Sequence, residues 1–146
     1  MRAITFHTED ISYTVKNKNH IKSVIKTAIA DEAKKLGEIA FICCSDDYLH
    51  KINQEYLKHD TFTDIITFDY CENDLISGDI FISIERVKEN ATKFNQNIEN
   101  ELFRIIIHGV LHLLGYKDKS PKDKKIMTEK EDFYLTLYSN KWQLTL

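Results

Sequence analysis

Apolar residues follow two different periods along the chain, one typical of strands and the other of helices. Four short runs are rich in β-branched and aromatic residues, and strands are predicted there. They cover 3–6, 38–44, 64–70 and 79–83. The loop between the last two contains Asn73, Asp74 and Gly78, so these two strands are expected to form an antiparallel hairpin.

Between and after the strands, apolar residues recur at helical spacing. The first helix is predicted to be capped by Asn19 and to end at Gly37. Its apolar stripe consists of Ile21, Val24, Ile25, Ala28, Ile29 and Leu36. Ser45 is expected to cap the second helix, with Asp46 and Asp47 in its first turn. The inner face of that second helix is predicted to be Leu49, Ile52 and Tyr56.

Three helices are predicted in the second half of the chain, over 84–94, 98–114 and 122–138. The segment 98–114 is apolar nearly all round, which is typical of a central buried helix. Ser120 and Pro121 form a cap and a first helical position for the last helix. Its inward residues are predicted to be Ile126, Met127, Phe133 and Leu137.

The order β-α-β-α-β-β-α-α-α predicts an α+β fold, a four-stranded mixed sheet covered by about five helices, with a metal site on the central buried helix. At 146 residues, of which 42% are hydrophobic, 1–146 is expected to be a single domain with a full core. The net charge of −3 excludes a generic polyanion binder, so any contact with nucleic acid must come from a local patch.

The three cysteines do not make a disulfide framework, and they are expected to be small buried hydrophobes. Cys43 and Cys44 would point to opposite faces of one strand. The N-terminus has no signal-peptide core, and no run approaches the ~20 apolar residues of a membrane span. The sequence therefore predicts a soluble protein of the reducing cytoplasm with no membrane partner.

The apolar segment around 98–114 carries the pattern H-x3-H-x2-G-x2-D, formed by His108, His112, Gly115 and Asp118. Two histidines four positions apart lie on one face of a helix, which is the spacing that one zinc ion needs from two imidazoles. Gly115 can end the helix with positive φ and let Asp118 return as a third ligand. The alternative is that these histidines are satisfied core residues, but unpaired imidazoles in so apolar a segment would be costly.

Three protein ligands leave one coordination position open, as in a catalytic zinc site, so one Zn²⁺ per chain is expected. Zinc peptidases carry a glutamate directly after the first histidine as the general base. Here that position is Gly109, so the pattern lacks the peptidase base.

Three blocks resemble the YbeY family of bacterial metal-dependent endoribonucleases. The block that runs from Ile52 through Asp64 to Phe68 resembles L-N-x-x-[FY]-R-x-x-D-x-P-T-D-V-L-S-F of the family. The block Gly78–Ser83 resembles G-D-I-x-I-S, and His108–Asp118 resembles H-G-x-L-H-L-x-G-Y-D-H. Met127 and Glu131 match an M-x-x-x-E pattern in the last helix.

The resemblance implies an endoribonuclease of ribosomal RNA maturation and ribosome quality control, in which His108, His112 and Asp118 act through the metal. It also implies RNA, and the ribosome or its proteins, as partners. Two positions depart from the family pattern: Asp118 stands where the family has a histidine, and Leu57 where it has an arginine. Carboxylate oxygen is an accepted zinc ligand, but leucine cannot grip a phosphate.

Candidate phosphate contacts are the cations Lys58, His59, Arg104, Lys117 and Lys119. Together with Lys122, Lys124 and Lys125, Lys117 and Lys119 form a cluster that either holds an RNA backbone or is a solvated helix face. Thr63 and Asp64 are interpreted mainly as turn and strand-start residues. Asp79 either orients a ligand histidine or pairs at the sheet entrance.

Two other functions remain open on the sequence. One is a metal-dependent hydrolase of a substrate other than RNA, which the motif allows and Gly109 disfavours. The other is a non-catalytic ribosome-associated binding factor with a structural metal, which Leu57 and Asp118 keep open.

Overall fold

The computed structural model describes residues 3–57 and 63–144, with side chains described as far as 139. The helices and strands follow one another in the predicted order. They are β1 (Ala3–Thr8), α1 (Lys18–Asp31), β2 (Lys35–Cys44), α2 (Asp46–Leu57), β3 (Ile65–Asp69), β4 (Leu75–Ser83), α3 (Ile84–Lys93), α4 (Ile98–Leu113) and α5 (Pro121–Leu144). The α+β fold class and the four-stranded mixed sheet are confirmed.

The strands lie in the order β1-β2-β4-β3. The first three of these are parallel, and β3 pairs with β4 in an antiparallel register that sets Ile65 opposite Ile82. The predicted hairpin is therefore confirmed, although Gly78 lies within β4 and not in the loop. Because β3 is the last strand in the order, one of its edges is not paired with another strand of this sheet.

The sheet separates two apolar cores of unequal size. The larger core joins α1, α4 and α5 to residues such as Phe41, Cys43 and Ile80 on one face of the sheet. The smaller core lies under α2 on the opposite face, around Cys44 and Ile66. Cys43 and Cys44 thus point to opposite faces and are both buried, as predicted, whereas Cys71 is only partly buried.

The predicted bounds of α1 were wrong at both ends. The helix begins after Asn17, whose backbone is left-handed, so Asn19 lies inside the helix and does not cap it. It ends at Asp31, and the left-handed Ala33 follows, where the N–H groups of residues 33 and 34 bond back to the last turn in the Schellman pattern. Leu36 and Gly37 belong instead to β2, where a Cβ on residue 37 would collide with Ser77.

Several aromatic and aliphatic residues predicted to face inward are exposed. Tyr56 is 67% exposed, Phe133 is 60% exposed and Ile126 is 36% exposed, whereas Leu137 is half-buried. The positions that pack inward in these helices are Asn53, Tyr134 and Tyr138, together with the correctly predicted Leu49, Ile52 and Met127. An apolar stripe is compatible with several rotations of a helix about its own axis, each of which buries a different set of residues. The elements that pack against the helix select one of these rotations.

The predicted caps of α2 and α5 are confirmed. Ser45 accepts a hydrogen bond from the N–H of Tyr48, and Ser120 accepts one from the N–H of Asp123. Among residues 3–57 and 63–144, no helix has the length and apolar character that crossing a membrane requires.

Candidate metal centre

Beyond its first turn, helix α4 is buried on nearly every side, and its half-exposed positions fall on one polar stripe. Arg104, His108 and His112 lie at intervals of four, one turn above another, between otherwise buried neighbours. The Nε2 atoms of His108 and His112 are 3.0 Å apart. The carboxylate atom Oδ2 of Asp118 lies 3.3 Å from each of these two nitrogens.

The end of α4 brings Asp118 to the histidines. Gly115 has φ of +101°, and its N–H bonds to the carbonyl of His112, while the N–H of Tyr116 bonds to the carbonyl of Leu111. This is the Schellman arrangement, which reverses the chain direction directly after a helix. The sequence-based prediction that Gly115 ends the helix with positive φ is confirmed.

The same reversal sets the hydrogen-bonding state of His112. The backbone carbonyl of Tyr116 lies 3.0 Å from Nδ1 of His112. Because a carbonyl only accepts hydrogen bonds, we assign the ring proton to Nδ1, which leaves the lone pair of Nε2 directed at Asp118. Tyr116 is itself held by a hydrogen bond from its hydroxyl to Glu32 at the end of α1.

His108 is oriented in the same way by a side chain of α5. Its Nδ1 atom lies 2.5 Å from Oε2 of Glu131, which is 6% exposed. Arg104 donates to the other oxygen of Glu131 and makes two hydrogen bonds to Glu101, which is 2% exposed. Two buried carboxylates therefore share one guanidinium, and one of them also accepts from the imidazole.

This network raises two pKa values. The hydrogen bond to Glu101 is the largest cause that raises the pKa of Arg104, so the guanidinium stays charged. Burial acts to lower the pKa of His108, but the hydrogen bond and charge of Glu131, with further contributions from Asp118 and Asp64, outweigh it and raise that pKa.

The three converging atoms have the spacing of metal ligands. Two Nε2 lone pairs and one carboxylate oxygen face a common point, and they repel one another unless a proton or a cation lies between them. Ligand bonds of about 2.0–2.1 Å in tetrahedral geometry place ligand atoms about 3.3 Å apart, which is close to the separations found here. When the histidine, cysteine and carboxylate side chains of the described residues are compared, His108, His112 and Asp118 form the group that could hold a metal ion.

Gly109, at the position where peptidases carry their base, packs closely against the sheet. A Cβ on Gly109 would lie 3.0 Å from Cδ1 of Ile80 and 3.1 Å from Cδ1 of Ile65. The helix therefore lies directly on β3 and β4 at this point, and a glutamate there would face the sheet and not the metal.

A cleft of about 690 Å³ opens over His108, His112 and Asp118. Its walls come from the C-terminal part of α2, from the residues that begin β3 and from the loop after α4. Thr63 and Asp64 line it, although sequence reasoning treated them mainly as turn residues; the hydroxyl of Thr63 also bonds to the carbonyl of Ile65, as a turn residue would. Leu57, which is 42% exposed, lines the same cleft in place of the family arginine.

The predicted phosphate contacts are distributed differently. Lys119 lines the cleft, and Lys117 is exposed on the loop that carries Asp118. Arg104 directs its donors at Glu101 and Glu131, which argues against the phosphate contact predicted for it. Lys58 and His59 lie outside the described residues.

Two positions show what the sequence did not reveal. Asp79 does not orient a ligand histidine; it lies on the other face of the sheet beside Tyr70, and Glu131 takes the orienting role. Glu131 matched the family pattern, but it lacked an assigned role because its partner is 23 positions away. The sequence did contain one signal for such a network. Glu101 and Arg104 lie inside an apolar run, and buried charges require partners of opposite charge.

Comparison with known proteins identifies the relatives of this chain. The family model described as Endoribonuclease YbeY matches residues 3–139. The chain belongs to that family. An Endoribonuclease YbeY from Phocaeicola vulgatus is 48% identical over 136 residues, covering 93% of this chain and 99% of the relative. Another, from Flavobacterium psychrophilum, is 50% identical over 135 residues, covering 92% of this chain and 96% of the relative.

A solved structure of lower identity has the same fold. The solution structure of TM1509 from Thermotoga maritima is similar with a TM-score of 0.69 and 29% identity. The match covers 98% of this chain and 93% of the TM1509 chain. The resemblance to the YbeY endoribonucleases drawn from three sequence blocks is therefore confirmed over nearly the whole chain.

Proposed function

We propose that this YbeY-family protein is a zinc-dependent endoribonuclease that binds one Zn²⁺ through His108, His112 and Asp118. The observation that carries the proposal is the convergence of three ligand atoms within 3.3 Å of one another. Two imidazoles and one carboxylate are a ligand set found in catalytic zinc sites, which keep one coordination position for water or substrate.

The ligand residues face an open cleft, which suits catalysis. The side chains of His108 and His112 are 19% and 30% exposed, and that of Asp118 is 39% exposed. When bound, the zinc ion supplies a Lewis acid for a phosphate oxygen. Lys119 stands at the cleft and can attract the phosphate backbone.

The described residues near the ligands include carboxylates, but the position after His108 is a glycine and not the glutamate of peptidases. Besides Asp118, the carboxylates that line the cleft among the described residues are Asp64 and Asp69. RNA carries its own nucleophile, the 2′-hydroxyl. Its oxygen attacks the adjacent phosphorus to form a 2′,3′-cyclic phosphate while the P–O5′ bond breaks; a carboxylate of the cleft accepts the 2′ proton, and the leaving 5′-oxygen takes up a proton from water. This agrees with Gly109 at the position where peptidases carry glutamate.

The chemistry of the nucleophile can be tested with a modified substrate. An RNA with one 2′-deoxy nucleotide on the 5′ side of the cut should resist cleavage at that bond and be cut normally elsewhere. Equal cleavage at the modified bond would show that water, and not the neighbouring hydroxyl, is the nucleophile.

We infer further that the substrate is ribosomal RNA during its maturation and quality control, with the ribosome or its proteins as partners, and that the protein acts in the cytoplasm. The endoribonuclease name of the relatives and the three sequence blocks support this assignment. The free thiols of Cys43, Cys44 and Cys71 agree with a reducing compartment.

The decisive experiment combines metal analysis with RNA cleavage. Protein purified without added metal should contain about one zinc per chain and cleave ribosomal RNA fragments. His112→Ala should lose both the zinc and the cleavage while keeping its circular dichroism spectrum. The matched control is His7→Ala, which removes an exposed histidine of β1 far along the chain from the ligands.

The alternatives predict different results in the same assays. A binding factor with a structural metal would retain RNA without cutting it, and its His112→Ala variant would lose thermal stability. A hydrolase of another substrate would leave RNA intact and cut casein or a small ester. Either result would overturn the proposed function.

A further inference from the structure

A second concave surface lies on the opposite face of the sheet from α4. We call it the aromatic groove and define it by Tyr48, Tyr56, Phe68, Tyr70 and Phe81, with Asp79 at one end. It lies between α2 and the strands β3 and β4, and its volume is about 490 Å³. Nothing in the proposed metal chemistry uses these residues.

The aromatic rings of the groove are arranged as a floor with two exposed rings above it. Phe68 and Phe81 meet edge to face with ring centroids 5.8 Å apart, and Tyr56 meets Phe68 edge to face at 6.0 Å. Tyr56 is 67% exposed and Tyr70 is 56% exposed. Exposed rings beside an apolar floor are the arrangement on which flat ligands stack.

The aromatic groove and the metal cleft share the edge strand β3. Phe68 and Tyr70 face the groove, whereas the alternate residues Thr67 and Asp69 line the metal cleft. Among the described strands none pairs with the outer edge of β3, so a polymer that leaves the metal cleft across this edge reaches the groove.

Helix α2 repeats this relationship. Ile52 and Tyr56 line the groove, and their neighbours Asn53 and Leu57 line the cleft. Neighbouring residues of α2 therefore belong to the two surfaces, and a ligand of the cleft that extends past Leu57 comes close to Tyr56.

The charges of the groove suit a nucleobase better than a phosphate. Glu55 and Asp79 line it together with the single cation Lys51 among its described residues. Burial first, and then the charge and hydrogen bond of Asp79, raise the pKa of Tyr70, which places this carboxylate against the tyrosine hydroxyl. A carboxylate only accepts hydrogen bonds, so it repels phosphate and pairs with N–H donors.

We propose that the aromatic groove binds one unpaired base of the RNA strand whose phosphate lies at the metal centre, with a preference for guanine. The base stacks on Tyr56 and Tyr70, and Asp79 accepts the two adjacent N–H donors on the Watson–Crick edge of guanine. Single-stranded RNA is commonly recognised in this way, through bases that stack on aromatic rings and bond through their edges. The inference rests on the proposed function, because it extends the same substrate beyond the cleaved bond.

Binding is measured separately from cleavage with RNA that cannot be cut. The probes are fluorescent 2′-O-methyl uridine hexamers, each with one guanine at a successive position, and the protein is the zinc-loaded enzyme. Anisotropy titrations should show tighter binding when the guanine occupies one particular position.

The variants separate stacking from hydrogen bonding. Tyr56→Ala should weaken binding of the best hexamer about tenfold, since one stacked base contributes about that much, and Tyr56→Trp should restore it. Asp79→Asn should abolish the guanine preference while all-uridine RNA binds as before. The matched controls are Phe94→Ala and Phe133→Ala, which remove equally exposed rings elsewhere, at 53% and 60% exposure.

Wild-type affinity in both Tyr56→Ala and Tyr70→Ala would overturn the stacking site, and an unchanged preference in Asp79→Asn would overturn the role of the carboxylate. These failures differ from a failure of the proposed function. If only the groove proposal fails, the wild-type enzyme still cuts unmodified RNA and loses that activity in His112→Ala. If the proposed function fails, the wild-type chain does not cut RNA.

Discussion

His108 of α4 is bound to Glu131 of α5, with 2.5 Å between the ring Nδ1 and the carboxylate Oε2. The contact joins the helix that carries two of the proposed metal ligands to a helix that carries none. It orients the imidazole so that Nε2 faces His112 and Asp118. Outer partners of this kind raise the basicity of the ligand and fix its tautomer.

Glu131→Gln should therefore lower the affinity for zinc by about 10–100-fold, the usual effect of losing such a partner. The amide can still accept the hydrogen bond from His108, but it no longer carries the charge. Competition titration with a chromogenic chelator measures the change. Glu129→Gln, an exposed change on the same helix, is the control and should bind zinc like the wild type. An unchanged affinity in Glu131→Gln would show that the contact is only structural.

Asp118 is the ligand position that departs from the family pattern, and its replacement tests whether it binds the metal. Asp118→Ala should weaken zinc binding at least tenfold, because only two protein ligands remain. Asp118→His should keep zinc near wild-type affinity, because imidazole is an equally suitable ligand.

Elemental analysis after dialysis distinguishes the Asp118 variants, with the exposed Asp132→Ala as the control. Full zinc retention in Asp118→Ala would remove Asp118 from the ligand set.

Gly109→Glu should destabilise the fold and should not create a peptidase. The new Cβ would press on Ile80 and Ile65, and overpacking of this kind costs about 1–3 kcal/mol. Chemical denaturation of the zinc-free proteins measures the loss in the free energy of unfolding.

Thr128→Glu, at an exposed helical position, is the control for Gly109→Glu and should change stability little. Casein cleavage by Gly109→Glu would contradict the inferred direction of this side chain.

The cysteines should differ in reactivity. Burial raises the pKa of Cys43 to about 11 and that of Cys44 to about 12, while partly buried Cys71 is also shifted upward, mainly by burial. A raised pKa leaves less thiolate at a given pH, so alkylation is slowed until the pH approaches the shifted value. At pH 8, native protein should react with iodoacetamide at Cys71 alone, and at all three after unfolding. Labelling of Cys43 at a rate like that of Cys71 would contradict the buried arrangement.

Many features of this fold could be predicted from residues that are close in sequence. The presence and order of the four strands, the caps at Ser45 and Ser120, and the termination of α4 at Gly115 depend on residues close in sequence, and these are found as predicted. The strands β2 and β4 begin earlier than predicted, at Lys35 and Leu75. The end of α1 was predicted wrongly from local residues. A glycine that follows a helical apolar stripe commonly ends the helix, and Gly37 is in that position. The helix ends earlier, at Asp31, before the left-handed Ala33, and Gly37 allows the close approach of β2 to β4.

The sequence by itself determined the order of the elements, the family and the pairing of His108 with His112, because these depend on periods of two and 3.6 residues and on short motifs. Only the tertiary structure decided that Glu131 holds His108, that Arg104 is hydrogen-bonded to two carboxylates and that Asp79 lies on the face of the sheet opposite His108 and His112. The physical reason is that each of these depends on a contact between distant segments, and such contacts are set by how helices pack on the sheet rather than by local spacing.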